Sequence, residues 1–288
     1  MASIETLKPE QISEDLKVKE QFIKTFMGIH KLDISEAESF YEKENIYFKQ
    51  AILDESTKLK MCTNISLYSA FLEIAITGLS IKKQAKAEAY IEKKSKKVVS
   101  GKSESWINVA QLVIQTHGEL ILRKRAGQIL HAHNPIVVYE GDTFQPCTDE
   151  SGNLIVKYAP LIPRQSNKIV ACYVQLTLPH GIKDYKWLLP EDIERLKKCS
   201  MKNLGGEKAN ALYGSGDNGQ IDVGFLETKT LKHALGTLGR LKINSSAILE
   251  TEFDDDKTSF DDGSNIPTAQ PEVQDDNEQQ NLIDDNPF

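Results

Sequence analysis

No run of about 18 apolar residues occurs in this 288-residue sequence, which excludes a membrane-spanning helix. The first residues, MASIETLKPEQ, have no apolar core of the kind a secretory leader needs, so a cytoplasmic protein is expected. Cysteine is scarce. Cys62, Cys147, Cys172 and Cys199 stand far apart in no paired spacing. That pattern argues against a disulfide framework or a thiolate metal cluster and fits free thiols in a reducing compartment. Nucleotide-binding loops are missing as well. Gly101–Lys102–Ser103 has the tail of a phosphate loop, but Lys96 stands where the earlier glycine is required. Gly214 to Gly219 spells G-x-G-x-x-G, yet it follows no apolar strand and sits in polar sequence, so it reads as a flexible connection.

Metal and catalytic clusters are equally thin. His131 and His133 alternate on an expected strand and face one side, but no third ligand accompanies them. The acids Asp254 to Asp256 lack the spacing of a calcium loop. A nuclease would need carboxylates clustered on rigid elements, and none can be assembled. The expectation is therefore a protein without catalytic residues, metal or cofactor.

What is present is an uneven charge distribution. The whole chain has 35 Lys and Arg against 42 Asp and Glu, a net charge of −7. Residues 250–288 hold 13 of those acids against the single Lys257, a net of −12. Residues 1–249 are left with 34 bases against 29 acids, a net of +5. A mildly basic body, 1–249, thus carries a strongly acidic tail, 250–288. The tail is poor in aliphatic residues and rich in Asp, Asn, Gln and Pro, so disorder is expected there, with the last ordered element ending near Leu249.

The body reads as α+β. The first 80 residues have helical spacing, clearest in Ser66–Leu79, where Leu67, Ala70, Phe71 and Ile74 share a face and Gly78 can stop the helix. Ala87–Glu92 and Trp106–Gln115 are β-prone runs around the polar stretch SKKVVSGKSES, which predicts a hairpin with a basic tip. A short helix over 118–126 follows, closed by Gly127, then a strand over 129–139 that Pro135 demotes locally to an edge or bulge, and a turn-like GDTFQPCTDESGN. Ile169–Leu178 alternates strongly as a strand and Lys186–Leu189 is expected to pair with it. Pro190 opens a helix, and a last helix spans about 225–241. Strands and helices do not alternate regularly, which favours a mostly antiparallel sheet with N-terminal and C-terminal helices.

The basic stretch carries the functional signal. Between Lys82 and Lys102 stand eight lysines (Lys82, Lys83, Lys86, Lys93, Lys94, Lys96, Lys97, Lys102) against Glu88 and Glu92. Arg123, Lys124 and Arg125 follow on a helix whose other face, Leu120 to Leu122, is apolar. Clustered Lys and Arg neutralise phosphates and release counterions, which binds nucleic acid without reading its sequence. The plainer alternative is a solubilising surface. Trp106 and Tyr90 could stack on bases, although strand aromatics more often pack in the core. The last residues, Asp284, Asp285, Asn286, Pro287 and Phe288, form an anionic peptide with one aromatic anchor. It could dock in a basic-rimmed pocket, or be an arbitrary end to an acidic tail.

Taken in order, these segments resemble the RecT family of phage and prophage recombinases. The resemblance is carried by CTNISLYSAFLEIAITGL (62–79), Ala87–Tyr90, LVIQTHGELILRKRAGQI (112–129) and VVYEGDTF (137–144), within roughly Val18 to Ile243. Lys124 and Arg125 match the family's basic pair, Gly127 and Gln128 match unchanged, and Lys229–Thr230 matches a Lys-Thr of the last helix. His117 stands where arginine is frequent in the family, as does His233.

The resemblance implies ATP-independent annealing of complementary single DNA strands by rings or filaments of protomers, beside a partner exonuclease. Its implied fold is an α+β core with a β-hairpin and a packed helix. The expected DNA contacts are Lys82, Lys83, Lys86, Lys94, Lys96, Lys97, Lys102, His117, Arg123, Lys124, Arg125 and Lys229. The expected partners are single-stranded DNA, the annealed duplex intermediate and other copies of the chain. The tail tip (Asp284, Asp285, Pro287, Phe288) is similar to the acidic end of bacterial single-strand-binding proteins, which implies contact with host proteins that read such tails. Competition of the tail with DNA for the basic groove is the other possibility. A passive single-strand-binding protein and a DNA-processing nuclease remain the rival readings.

Overall fold

The computed structural model describes residues 4–100, 103–150, 152–203 and 208–241. Lys102, the acidic tail with Asp284, Asp285, Pro287 and Phe288, and the expected end near Leu249 lie outside them. The architecture is α+β with antiparallel pairing throughout the described sheets.

The N-terminal part is helical: α1 (Leu16–His30), α2 (Ile34–Leu53) and α3 (Asn64–Thr77). Each start is fixed by a side chain that satisfies an otherwise orphaned amide. Asp15 accepts from Lys17 and Val18, Asp33 and Glu36 form a reciprocal capping box, and Thr63 accepts from Ser66. Gly78 closes α3 at φ +60°, a left-handed conformation that glycine adopts without strain. The three helices meet on Phe71, whose ring centroid lies 4.7 Å from those of both Phe22 and Phe48. All three rings are fully buried, and truncating any of them would cost about 3–5 kcal/mol.

A long hairpin leaves this core: β1 (Ala89–Ser100) and β2 (Ser103–Ile114), in register from Ala89↔Ile114 to Ser100↔Ser103. Its strands run much further than the apolar pattern indicates, because the polar stretch expected to connect them is itself paired. Ala89, Ile91, Ala110 and Leu112 bury the base of one face against the helical core. Helix α4 (Thr116–Arg125) begins two residues before its expected start. At its first turn Gln115 N–H donates to the Glu88 carbonyl at 2.9 Å, and a Cβ on Gly118 would lie 2.1 Å from that oxygen. The His-Gly of the sequence motif is thus a close backbone approach that only glycine allows.

The C-terminal part is built on β7 (Ile169–Thr177). Along one edge lie β3 (His131–Ala132) and β4 (Ile136–Tyr139), and along the other β8 (Lys183–Leu188). The single strand expected over 129–139 is therefore two short ones, split at 133–135, where Pro135 has no amide to contribute. The segment expected to be turn-like instead holds β5 (Thr143–Thr148), which pairs with β6 (Leu154–Ala159). Strand β7 is covered on both faces. Cys172, Val174 and Leu176 meet helices α4, α5 (Pro190–Asn203) and α6 (Val223–Gly236), while Ala171 and Tyr173 meet the β5–β6 hairpin through Phe144, Val156 and Tyr158. Residues 211–219 are not a loose connection. They form two 3-10 turns held by Gly216 N–H to Gln220 O and Asp222 N–H to Leu212 O, with Tyr213 and Ile221 buried.

Candidate nucleic-acid interface

The lysine loop between α3 and β1 is rooted rather than loose. Ser80 donates its N–H to Glu88 at 2.8 Å and its hydroxyl to Glu44 at 2.7 Å, and Ile81 N–H donates to the other Glu44 oxygen at 2.9 Å. Glu44 is only 2% exposed, and burial pushes its carboxyl up, opposed by the bonds from Ile81 and Ser80. From this root Lys82, Lys83 and Lys86 point into solvent. Lys83 pairs with Asp54, and that hydrogen bond is the main reason the Asp54 carboxyl falls to about 2.

Arg125 sits beside the same root. Its Nη1 donates to the carbonyls of Thr77 and Gly78, each at 3.1 Å, placing a cation at the negative end of α3. His30 reaches the same end, with Nε2 3.0 Å from the Ala75 carbonyl. Burial lowers the His30 pKa, and the neighbouring Arg125 charge adds to that. Lys124 is exposed and His117 half-buried on the same helix.

On the hairpin, Lys94 pairs with Glu92 at 2.9 Å and Lys97 with Glu104 at 2.6 Å. Lys96 lines an open groove with Ile107, Val109 and the first turn of α3. The structure thus brings Lys82, Lys83 and Arg125 to the C-terminal end of α3, and sets Lys94, Lys96 and Lys97 along the projecting hairpin.

Two expected phosphate contacts are placed differently. Arg123 is 3% exposed and is used internally: it donates to Glu119 at 2.7 Å, to the Gln128 side chain at 2.7 Å and to the Gly239 carbonyl at 3.0 Å. Lys229 is also 3% exposed, its ammonium 4.8 Å from the centroid of the Phe225 ring. Charge alone cannot tell an arginine that ties chain segments together from one that faces solvent. The motif partner Gln128 belongs to the same knot, donating to the Arg240 carbonyl at 2.9 Å.

The Glu-Gly-Asp motif is structural too. Asp142 accepts from Tyr139 N–H at 3.0 Å and Leu161 N–H at 2.8 Å, and these bonds hold its carboxyl below the usual carboxylate range. His131 and His133 pack edge to face, 4.6 Å apart. Among the described residues no group of three or more His, Cys, Asp or Glu could hold a metal. Among the same residues no helix is long and apolar enough to cross a membrane.

For Trp106 the sequence left two readings open, an exposed stacking ring and a core position. Trp106 is 70% exposed on the hairpin, where a core position was the more ordinary expectation. The available signal was its parity: it falls in phase with the polar Glu104 and Asn108.

A family model described as the RecT family matches residues 46–213. The chain belongs to the RecT family. That match runs from the second half of α2 to Tyr213 and so includes the lysine loop, the hairpin, α4 and the sheet built on β7. Membership makes it a single-strand annealing protein of recombination. No curated protein matches the chain. Within the RecT-family region, the lysine loop, the hairpin and the end of α4 supply cations on the surface, while Arg123, Gln128 and Asp142 hold the frame that presents them.

Proposed function

We propose that this chain anneals complementary single strands of DNA without ATP and without chemical catalysis, by holding phosphate backbones while the bases find their partners. Annealing needs contacts that leave the pairing edges of the bases free, and phosphate contacts do so while carrying no sequence information. The proposed contacts are Lys82, Lys83, Lys86, Lys94, Lys96, Lys97, Lys102, His117, Lys124 and Arg125. Arg123 and Lys229 act from inside, by fixing the elements that carry the others. The observation that carries this reading is the assembly of Lys82, Lys83 and Arg125 around the end of α3 in a chain of the RecT family.

Each protomer contact is weak, and several protomers on one strand add through avidity. The body 1–249 therefore works as a ring or filament in a bacterial host cytoplasm, on single strands supplied by a partner exonuclease, and it holds the annealed duplex intermediate as well. The tail 250–288 recruits host proteins through Asp284, Asp285, Pro287 and Phe288. Deleting Phe288 should abolish that recruitment and leave DNA affinity nearly unchanged; host contacts that survive the deletion would remove the tail from this role.

The test is annealing of two complementary labelled oligonucleotides without ATP, at low and high salt. Pairing faster than that of protein-free DNA, lost at high salt, supports the reading. Binding without faster pairing would make the protein a passive single-strand binder.

A further inference from the structure

The exposed Trp106 is not explained by phosphate contacts, since an indole carries no charge. Its surroundings define what it can hold. Trp106 pairs directly with Lys97 across the hairpin, so the two share a face. Towards the body, the same face carries Asn108, which is tied to Ser95 at 2.9 Å, and then Ala110, the first buried position of β2. Trp106 lies four positions from Ala110, about 13 Å along the strand from that buried residue. Glu104, on its other side, is engaged by Lys97. Among the described residues no aromatic ring or cation packs on the indole. Ile107 and Val109, its apolar neighbours in sequence, face the other way and line the groove with α3.

A single exposed apolar side chain is ordinary, and exposure alone assigns nothing. The combination is more specific: the largest aromatic side chain, uncovered, on the face that carries Lys97 and Lys93, with Lys94 and Lys96 on the other face of the same projecting arm. A flat ring bordered by cations matches one ligand chemistry, a base flanked by phosphates. A second copy's hairpin would bring the same lysines against these, and like charges oppose that pairing.

We infer that Trp106 is a base-stacking platform, on which one nucleobase of the bound single strand packs by its face while neighbouring lysines meet the adjoining phosphates. The inference rests on the single-strand-binding reading above and deepens it. A base held by its face keeps its pairing edge open, so stacking is compatible with annealing. It also gives each protomer a point at which the strand's advance along the arm is registered.

The chain has a second tryptophan, Trp187, packed against Phe144 in the C-terminal half. In the full-length Trp187→Phe variant, Trp106 is the sole indole reporter. Its emission is followed during titration with an oligothymidylate and with an abasic strand of equal length. The expected result is quenching by the first and little by the second. In a second arm, Trp106→Ala weakens oligothymidylate binding by roughly five- to a hundredfold, leaves abasic binding unchanged, and does not alter the salt slope. Trp106→Phe recovers part of the loss.

Equal quenching by both strands, or unchanged affinity of Trp106→Ala, overturns the inference. So does a shift in the sedimentation of DNA-free Trp106→Ala with its DNA affinity intact, which would turn the ring towards another copy. Failure of the unaltered chain to bind any single strand would reject both this inference and the reading beneath it.

Discussion

Arg123 Nη1 donates to Gln128 Oε1 at 2.7 Å, and through this pair the chain after α6 is tied to α4: Arg123 takes the carbonyl of Gly239 and Gln128 that of Arg240. Removing the guanidinium takes away at once the donor shared by half-buried Glu119 and Gln128 and the Gly239 carbonyl, and leaves a hole where a 3% exposed side chain stood. Arg123→Ala should therefore cost about 2–4 kcal/mol of stability, read by denaturant unfolding. Lys124→Ala should be nearly silent in the same measurement and should instead weaken DNA binding. An Arg123→Ala protein of normal stability would refute the internal role.

Gly118 leads to a second expectation. Its Cβ position lies 2.1 Å from the Glu88 carbonyl oxygen and 2.9 Å from the Glu88 carbonyl carbon, both backbone atoms that cannot swing aside. Gly118→Ala must push α4 off the base of the hairpin and weaken the Gln115–Glu88 bond. A loss of about 2 kcal/mol or more is expected in thermal or denaturant unfolding. Gly127→Ala, which has open space but a φ of +70°, should cost less, about 1 kcal/mol.

Acid should loosen the fold through two half-buried imidazoles. Burial lowers the pKa of both His30 and His233 below the ordinary 6.5. For a depressed group the folded state binds fewer protons than the unfolded chain. Its stabilising contribution is full above about pH 6.5 and is lost as the pH falls through the folded value. Stability measured from pH 7.5 to pH 5 should therefore decline. His30→Gln, which keeps a donor for the Ala75 carbonyl, should flatten that decline; an unchanged slope would exclude His30 as a contributor.

Surface cations should be distinguishable from internal ones by salt. On single strands each phosphate contact contributes about −0.7 to the slope of log affinity against log salt. Lys82→Ala and Lys124→Ala should each reduce the slope by up to that amount, with no preference among DNA sequences. Variants that keep both the slope and the affinity would remove those side chains from the interface.

Much of the frame was legible in the sequence. The helix expected over Ser66–Leu79 is α3, Asn64–Thr77, capped by Gly78 as its apolar face and stop signal indicate, and the strand expected over Ile169–Leu178 is the central strand, Ile169–Thr177, as its alternation indicates. Hairpin length was not legible. Lys93 to Lys97 have no apolar alternation, and their strand conformation comes from cross-strand pairing with Trp106 to Ala110. Likewise β5 looked like a turn because Gln145, Pro146 and Thr148 are polar or amide-less and its two half-buried residues, Phe144 and Cys147, stand three positions apart, out of strand alternation. At the interface, composition located the cations, but which of them face solvent depends on contacts between residues far apart in sequence. Arg123 and Gly239 are one such pair.

The position of β7 sets how the molecule opens. From Cys172 to Thr177 it has partners along both edges and packed side chains on both faces, so this part of it is shielded from water until β3, β4, β8 and the helices have separated from it. In deuterium exchange β7 should be the last segment to label, at the free energy of global unfolding, while Lys94 to Val98 label at once through local opening. The arm is thus free to reshape around a strand on a timescale that leaves the sheet beneath it undisturbed.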